Sequence, residues 1–349
     1  MMTNLAEYFF SRGYQVTMVT QYQLDQEYSI SPGIARILSD LTPEEEKGGR
    51  IANFLARFRK LRGIWKQERP DLILSFIGKN NIMAVLTSRF LGIPVVVSVR
   101  GEPKEEYPSR LMRLAARITF RLAAGVVLQT QAGADFFPPA VQRKSIILKN
   151  SLNPGFLRPV FRGERQKEIV AVGRVDANKN HEMLIRSFAA IADRYPDHGV
   201  VIYGEGDRRE ALKVLVKELG LKDRIHLPGS IEDVAGRIEQ ASAFVLCSYS
   251  EGMPNTLIEA MALGLPVIST DCPCGGPGEL IRQGENGLLI PPGDGEALTE
   301  ALCRILDHPE QAEAMGRQAA EIQTQLDPKV INQSWETYFL GLIRGRAGK

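Results

Sequence analysis

The chain has 349 residues, 44% hydrophobic and 24% charged, an ordinary globular composition and a length that suits two domains better than one. No run of eighteen apolar residues offers a membrane span, and the opening MMTNLAEYFFSRG lacks the order of a secretory leader. The net charge of +2 conceals an asymmetry: residues 1–150 carry 21 Lys and Arg against 13 Asp and Glu, and the remainder carries 22 against 28. A basic first half favours an anionic partner, and composition does not choose among phosphate, a membrane surface and nucleic acid. Four cysteines (Cys247, Cys272, Cys274 and Cys303) do not make a disulfide framework, so a reducing cytoplasm is expected.

In chain order, a helical face of Leu5, Phe9 and Phe10 comes first, stopping near Gly13, and no strand precedes it. In a doubly wound sheet the first strand is usually central, and its loop carries phosphate or substrate. The reading therefore expects either a start upstream or an incomplete first sheet. Strands follow at 15–20, 72–77, 95–99, 126–129 and 146–149, then in a second series at 168–172, 200–203, 225–227, 243–246, 267–269 and 288–290. The stretch NSLNPGFLRPVFRGERQ (150–166), rich in Pro, Gly and charge, separates the series and reads as an interdomain hinge. The expected architecture is α/β: a unit over 1–150, a second over 151–327, and a terminal helix over 328–349 packing back on the body. That helix sets Val330, Trp335, Tyr338, Phe339 and Leu342 on one face.

Chemistry is sought after the strands, because ligands of such sheets bind at the carboxyl ends. The segment SEGMPNTLIEAMALG follows the run AFVLCS, with a helix expected to start near Asn255 and stop at Gly264. Free N–H groups at that start form an anion site, and Glu251 and Glu259 beside it suit the hydroxyls of a sugar and a ribose. Taken singly, the two carboxylates read more readily as a favourable helix-end charge and a solvated side chain. A second cluster is IVAVGRVDANKNHEMLIRSFA, where Arg174 and Lys179 share a polar loop after a strand and suit a diphosphate gripped from two sides. A third is VIYGEGDRREAL, where Gly204 and Gly206 allow backbone to approach a base or ribose, a weak signal by itself.

Together these three clusters, with NGLLIPPGD further on, resemble the carboxyl-terminal domain of the family 4 glycosyltransferases, whose signature E-x7-E is here Glu251 and Glu259. The resemblance runs from about Glu168 to Pro292. It implies a GT-B fold, two Rossmann-like doubly wound domains facing a cleft, and a retaining transfer of a hexose from a nucleotide-sugar, most naturally UDP-linked. It assigns Arg174 and Lys179 to the donor diphosphate, and Gly173 and Gly204 to the donor side. Glu251 with Gly252, Met253, Pro254, Asn255 and Thr256 falls to the donor sugar, and Glu259 to the ribose. It names no covalent nucleophile. STDCPCGGPGELI looks most like bacterial enzymes that build lipid-linked oligosaccharides, exopolysaccharides and capsules. The C-x-C within it is poor zinc evidence, and no D-x-D triplet is present, so no metal and no other cofactor is expected.

The first half resembles the family more loosely, through LAEYFFSRGYQVTMVT and LSFIGKNNIMAVLTSRFLGIPVVVSVRGEP. Many members carry a Gly-Gly loop before the first helix, and this chain begins after that point. Many also place a histidine after the strand matching VVVSV; here Arg100-Gly101-Glu102 stands there, and residues 1–150 contain no histidine, so Arg100 or Glu102 is the candidate for that polar role. Arg110, Arg113, Arg117 and Arg121 share one helical face, read either as solvated or as a contact for anionic lipid headgroups or a polyprenyl diphosphate acceptor. Nucleic acid is not favoured, because no binding module accompanies the charge. Two alternatives stay open: a sugar-nucleotide epimerase of the same fold, and a nucleotide-sugar-binding protein without transfer activity.

Overall fold

A computed structural model describes residues 2–22 and 30–347. The chain divides into two compact units: one holds the residues up to Leu128, with Ala134–Leu148 and the segment from Lys329 onward, and the other holds Gln129–Gly133 and Lys149–Pro328.

In the first unit, β1 (Thr17–Thr20) pairs in parallel with β2 (Ala35–Leu38). A separate parallel sheet runs in the order β3 (Ile73–Phe76), β4 (Val95–Ser98), β5 (Gly125–Leu128), β6 (Ser145–Ile147). Val95, Val96 and Val97 on β4 and Val126 and Val127 on β5 are all buried, so both faces of this sheet are covered, as the unbroken valine runs require. Tyr107, Phe120 and Phe137 fill the core beside it, Phe120 stacked on Phe137 at 5.3 Å and Tyr107 meeting both rings edge-on. The terminal helix Pro328–Ala347 belongs to this unit: Trp335 is fully buried, Phe339 stacks on Phe9, and Glu336 accepts hydrogen bonds from the hydroxyls of Tyr8 (2.7 Å) and Tyr14 (2.8 Å).

The second unit is a six-stranded parallel sheet of β7 (Gln166–Val172), β8 (Gly199–Tyr203), β9 (Ile225–Gly229), β10 (Ala241–Leu246), β11 (Val267–Thr270) and β12 (Leu288–Ile290). Its spatial order is β9-β8-β7-β10-β11-β12, the 3-2-1-4-5-6 order of a dinucleotide-type fold. The chain leaves β7 toward one edge and β10 toward the other, so the loops following these two neighbours diverge and open a crevice at their carboxyl ends.

Each of the eleven strands expected from sequence is present, and β2 is the one the sequence reading lacks. Its four residues, Ala-Arg-Ile-Leu, are exposed or half-buried and pair with β1 alone, so they carry no core pattern to read. The stretch over 150–166 differs from the expected hinge, being held along the second unit. Leu152 and Phe156 are buried, and the Arg165 guanidinium donates to Glu313 and to the carbonyls of Glu239, Ala241 and Gly264. Its charges and turns serve that attachment, which composition does not distinguish from a linker.

Candidate active site

Two loops of the second unit meet where the strand order reverses. The first, from Gly173 to Asn180, leads from β7 into the helix His181–Ala189. It is laced to the loop after β8: Gly173 N–H donates to the Tyr203 carbonyl (3.0 Å), Val175 N–H to that of Glu205 (2.8 Å), and Arg208 N–H to that of Val175 (3.0 Å). Gly204 has φ +140°, and a β-carbon there would lie 1.9 Å from the Gly173 carbonyl oxygen. This glycine is therefore demanded by two backbones in contact, a packing reason distinct from the ligand approach expected of it.

The second loop, from Cys247 to Pro254, leads from β10 into the helix Asn255–Ala262. Asn178 splices the two loops: its side-chain amide donates to the Ser250 carbonyl (2.9 Å), its Oδ1 accepts from Ser250 N–H (3.1 Å), and its carbonyl accepts from Tyr249 N–H (2.9 Å). Asp176 Oδ1 accepts from Lys179 N–H at 3.0 Å, fixing the turn that aims the lysine. As a result Lys179 Nζ donates to Glu251 Oε1 at 2.7 Å, and the same oxygen accepts from Ser248 Oγ at 2.7 Å. Both side chains are largely buried, 12% and 15% exposed, so the ion pair is screened far less than a surface pair. The lysine stem lies over Gly173, its Cε 3.1 Å from where a β-carbon would stand, and Gly173 has φ +151°, so a side chain there would crowd the stem and strain the backbone.

Arg174 is placed differently. Its side chain is 77% exposed and meets Asp176 at 3.1 Å, outside the Lys179–Glu251 cluster. Beneath it the His181 imidazole lies 3.3 Å from the Arg174 carbonyl, and burial pushes it down to about 4, so it is neutral near pH 7.

The Asn255–Ala262 helix begins after Pro254, and among the described residues no side chain caps its first turn. Its N–H groups and dipole thus face the crevice. Gly252, Met253 and Pro254 are buried, and Asn150 Nδ2 holds the turn by donating to the Met253 carbonyl (3.0 Å) and Asn255 Oδ1 (2.8 Å). Thr256 Oγ1 is buried without a hydrogen-bond partner among the described residues. Glu259 is half-buried on the same helix, and desolvation raises its carboxyl to about 7, so it is not the solvated surface group a lone carboxylate suggests.

Cys272 and Cys274 are buried and form no disulfide among the described residues, and Cys272 supports this loop from behind by donating to the Ser248 carbonyl at 3.4 Å. Among the described residues no group of three or more His, Cys, Asp or Glu is arranged to hold a metal ion.

In the first unit, Glu106 organises the loops after β3 and β4. Its Oε1 accepts from the N–H groups of Arg100 and Gly101, both at 2.7 Å, and its Oε2 accepts from that of Gly78 at 2.9 Å. The Arg100 guanidinium lies 5.9 Å from the Phe76 ring centre, and burial lowers it to about 9. Glu102 stands at the head of the short helix Pro103–Glu106. Ile77, just past β3, has φ +69°, a left-handed conformation that strains a β-branched residue, and it is exposed. Arg110, Arg117 and Arg121 are exposed, whereas Arg113 folds back and donates to the carbonyls of Tyr107 (2.9 Å) and Pro108 (3.1 Å), so the basic row expected from spacing loses one member.

Two family models account for most of the chain: "Glycosyl transferases group 1" matches residues 157–322, and "Glycosyl transferase 4-like domain" matches residues 1–139. The chain belongs to the family 4 glycosyltransferases. Among the chain's relatives is an uncharacterized glycosyltransferase of Methanocaldococcus jannaschii, 28% identical over 245 residues, covering 63% of this chain and 60% of that protein. The chain thus spans less than two thirds of that relative. A Campylobacter jejuni enzyme, named as an α-1,4-N-acetyl-D-galactosaminyltransferase acting on a diphospho-undecaprenol-linked glycan, is 24% identical over 287 residues, with 82% and 79% coverage. The Anabaena protein HepE, solved with UDP, superposes with a TM-score of 0.80 at 17% identity over 97% of this chain and 95% of its own. At that identity the likeness speaks to the fold, which is GT-B.

The sequence reading names Lys179 and Glu251, which the structure brings together, and Arg174, which it leaves outside the pair. It missed Asn178, Ser248, His181 and Glu106. An N-x-x-H pattern at a helix start and the serine three residues before Glu251 were signals available for the first three. Glu106 was hidden among Glu102, Glu105 and Glu106, where spacing does not tell which carboxylate turns inward.

Proposed function

We propose that this chain is a retaining glycosyltransferase that moves a hexose or N-acetylhexosamine from a UDP-linked donor to a lipid-linked glycan or polysaccharide precursor. The observation that carries the reading is the convergence of Lys179, Glu251 and an uncapped helix start at the switch point of the second sheet. Lys179 is already held in a shielded position, so it needs little reorganisation to meet the charge that develops on a departing diphosphate. Arg174 joins it from outside: its exposed pairing with Asp176 is worth only about 0–1 kcal/mol and is readily exchanged for phosphate. Glu251 Oε1 is engaged by Lys179 and Ser248, and we assign Oε2 to donor-sugar hydroxyls. The N–H groups of Gly252, Met253, Asn255 and Thr256 and the Thr256 hydroxyl surround the same sugar, and Glu259 takes the ribose.

In the step itself the bond from the anomeric carbon to the diphosphate oxygen breaks, and a bond to the acceptor oxygen forms on the same face. The acceptor proton passes to the departing diphosphate, so no enzymic nucleophile is assigned. The two cations supply the charge stabilisation, and chelation with EDTA is expected to leave the rate unchanged. Arg100 and Glu102 are assigned to the acceptor. A polyprenol-linked acceptor, of the kind named for the Campylobacter relative, would set the enzyme peripherally at the inner face of the cell membrane.

Calorimetry with UDP, GDP, ADP and their sugars, followed by transfer of a labelled sugar to undecaprenyl-diphosphate-linked oligosaccharides, tests this. Selective UDP-sugar binding with transfer is expected. Binding without transfer would leave a binding protein, and conversion of donor without acceptor would mark an epimerase.

A further inference from the structure

The outward side of the helix Arg110–Leu122 is apolar. Leu111, Leu114, Ile118 and Leu122 are 75%, 53%, 52% and 45% exposed, and spacings of three and four residues set them in one row along the helix. The opposite side is anchored: Ala116, Thr119 and Phe120 are buried in the core of the first unit. An ordinary surface helix turns its aliphatic row inward and its charges outward, whereas this one keeps one apolar row for the core and shows a second to solvent.

Arg110, Arg117 and Arg121 each stand one position before Leu111, Ile118 and Leu122, so a basic row flanks the apolar one. The helix, RLMRLAARITFRL, carries no carboxylate. Aliphatic side chains beside arginines, on a convex helix rather than in a groove, match the boundary between anionic headgroups and acyl chains, where arginine stems lie along apolar surface and the guanidinium reaches phosphate.

We propose that the Arg110–Leu122 helix seats the protein on an anionic bilayer, with Leu111, Leu114, Ile118 and Leu122 entering the headgroup–acyl boundary and Arg110, Arg117 and Arg121 gripping lipid phosphates. Arg113 is excluded from the seat because it secures the turn before the helix. Only the short helix Pro103–Glu106 and the turn after it separate this helix from the loop that carries Arg100 and Glu102, so seating it brings the assigned acceptor loop toward the membrane surface. The proposal deepens the reading of a membrane-borne acceptor, and its test does not depend on transfer.

The full chain would be floated with vesicles of phosphatidylglycerol and phosphatidylcholine, and with phosphatidylcholine alone, at low and high salt. The companions are an Arg110→Glu, Arg117→Glu, Arg121→Glu variant and a Leu111→Ser, Ile118→Ser variant, all at exposed positions, with thermal melting to confirm folding. Expected are at least tenfold preference for the anionic vesicles, weakened by salt, and at least tenfold loss of binding in each variant with UDP-sugar affinity unchanged. Failure of the native chain to bind at low salt would overturn the proposal, as would variants that bind like it. So would self-association of the native chain that the serine variant abolishes without altering vesicle binding, which would make a second copy the occupant. Vesicle binding as expected with no affinity for any nucleotide-sugar would uphold the seat and remove the transferase reading instead.

Discussion

The loops after β7 and β10 and those after β3 and β4 all leave the carboxyl ends of neighbouring parallel strands, yet they are built by different means. In the second unit, backbone and side chains are locked together: Gly204 against Gly173, Asn178 against Tyr249 and Ser250, and Lys179 against Glu251. In the first unit one carboxylate, Glu106, collects three N–H groups, while Ile77 stands strained and exposed beside it. On the proposed function, a site for one invariant group, a diphosphate on a ribose, rewards rigid and specific construction. A site whose partner varies needs only a tied frame, with its contacts left to exposed side chains.

That contrast can be broken at several points. The largest effect is expected at Lys179, where Lys179→Ala should lower kcat by about 10²–10³ in a transfer assay, the cost of removing one preorganised donor. Lys179→Arg should recover part of it. Next is Gly204→Ala, whose β-carbon would fall 1.9 Å from a backbone oxygen at a positive φ. It should cost about 2–4 kcal/mol by thermal melting. Gly220→Ala, also at positive φ but with open space around it, should cost only about 1 kcal/mol. Glu106→Ala leaves three N–H groups without their acceptor and should cost about 1–3 kcal/mol. It should raise the acceptor KM while leaving donor affinity unchanged, which separates the two regions.

A pH dependence is expected at Glu259. Its carboxyl is raised from about 4.5 unfolded to about 7 folded, so the folded chain holds the extra proton between these values and loses stability as pH rises through that window. Glu259→Gln should remove this slope, at most about 3 kcal/mol in total. Ribose hydroxyls favour the carboxylate, so UDP-sugar affinity should climb from about pH 6 to about pH 8 with proton release measurable by calorimetry, and should be flat in the Gln variant.

Much of the second unit was legible in sequence, because its strands are apolar runs bounded by glycine and polar loops, and its site residues lie within short segments of fixed spacing. Lys179 and Glu251 are each legible because each lies in a polar loop that follows a strand. Their contact depends on Asn178, whose role is a long-range splice that no local pattern reveals. The first unit was legible as strands but not as a site: β2 has no core face, Glu106 is one of three nearby carboxylates, and the positive φ of Ile77 contradicts its own preference. The arginine row shows the limit of periodicity, which placed four side chains on one face correctly and could not show that Arg113 bends back to two carbonyls.

The most direct test of the account is UDP-sugar calorimetry on the native chain, Lys179→Ala and Glu251→Gln, with Lys213→Ala, an exposed lysine paired to Glu210 on its own helix, as the control. The account predicts at least tenfold weaker binding, about 1.4 kcal/mol, in both site variants and none in the control. Equal affinity in all four proteins would show that the paired loops of the second sheet do not hold the donor.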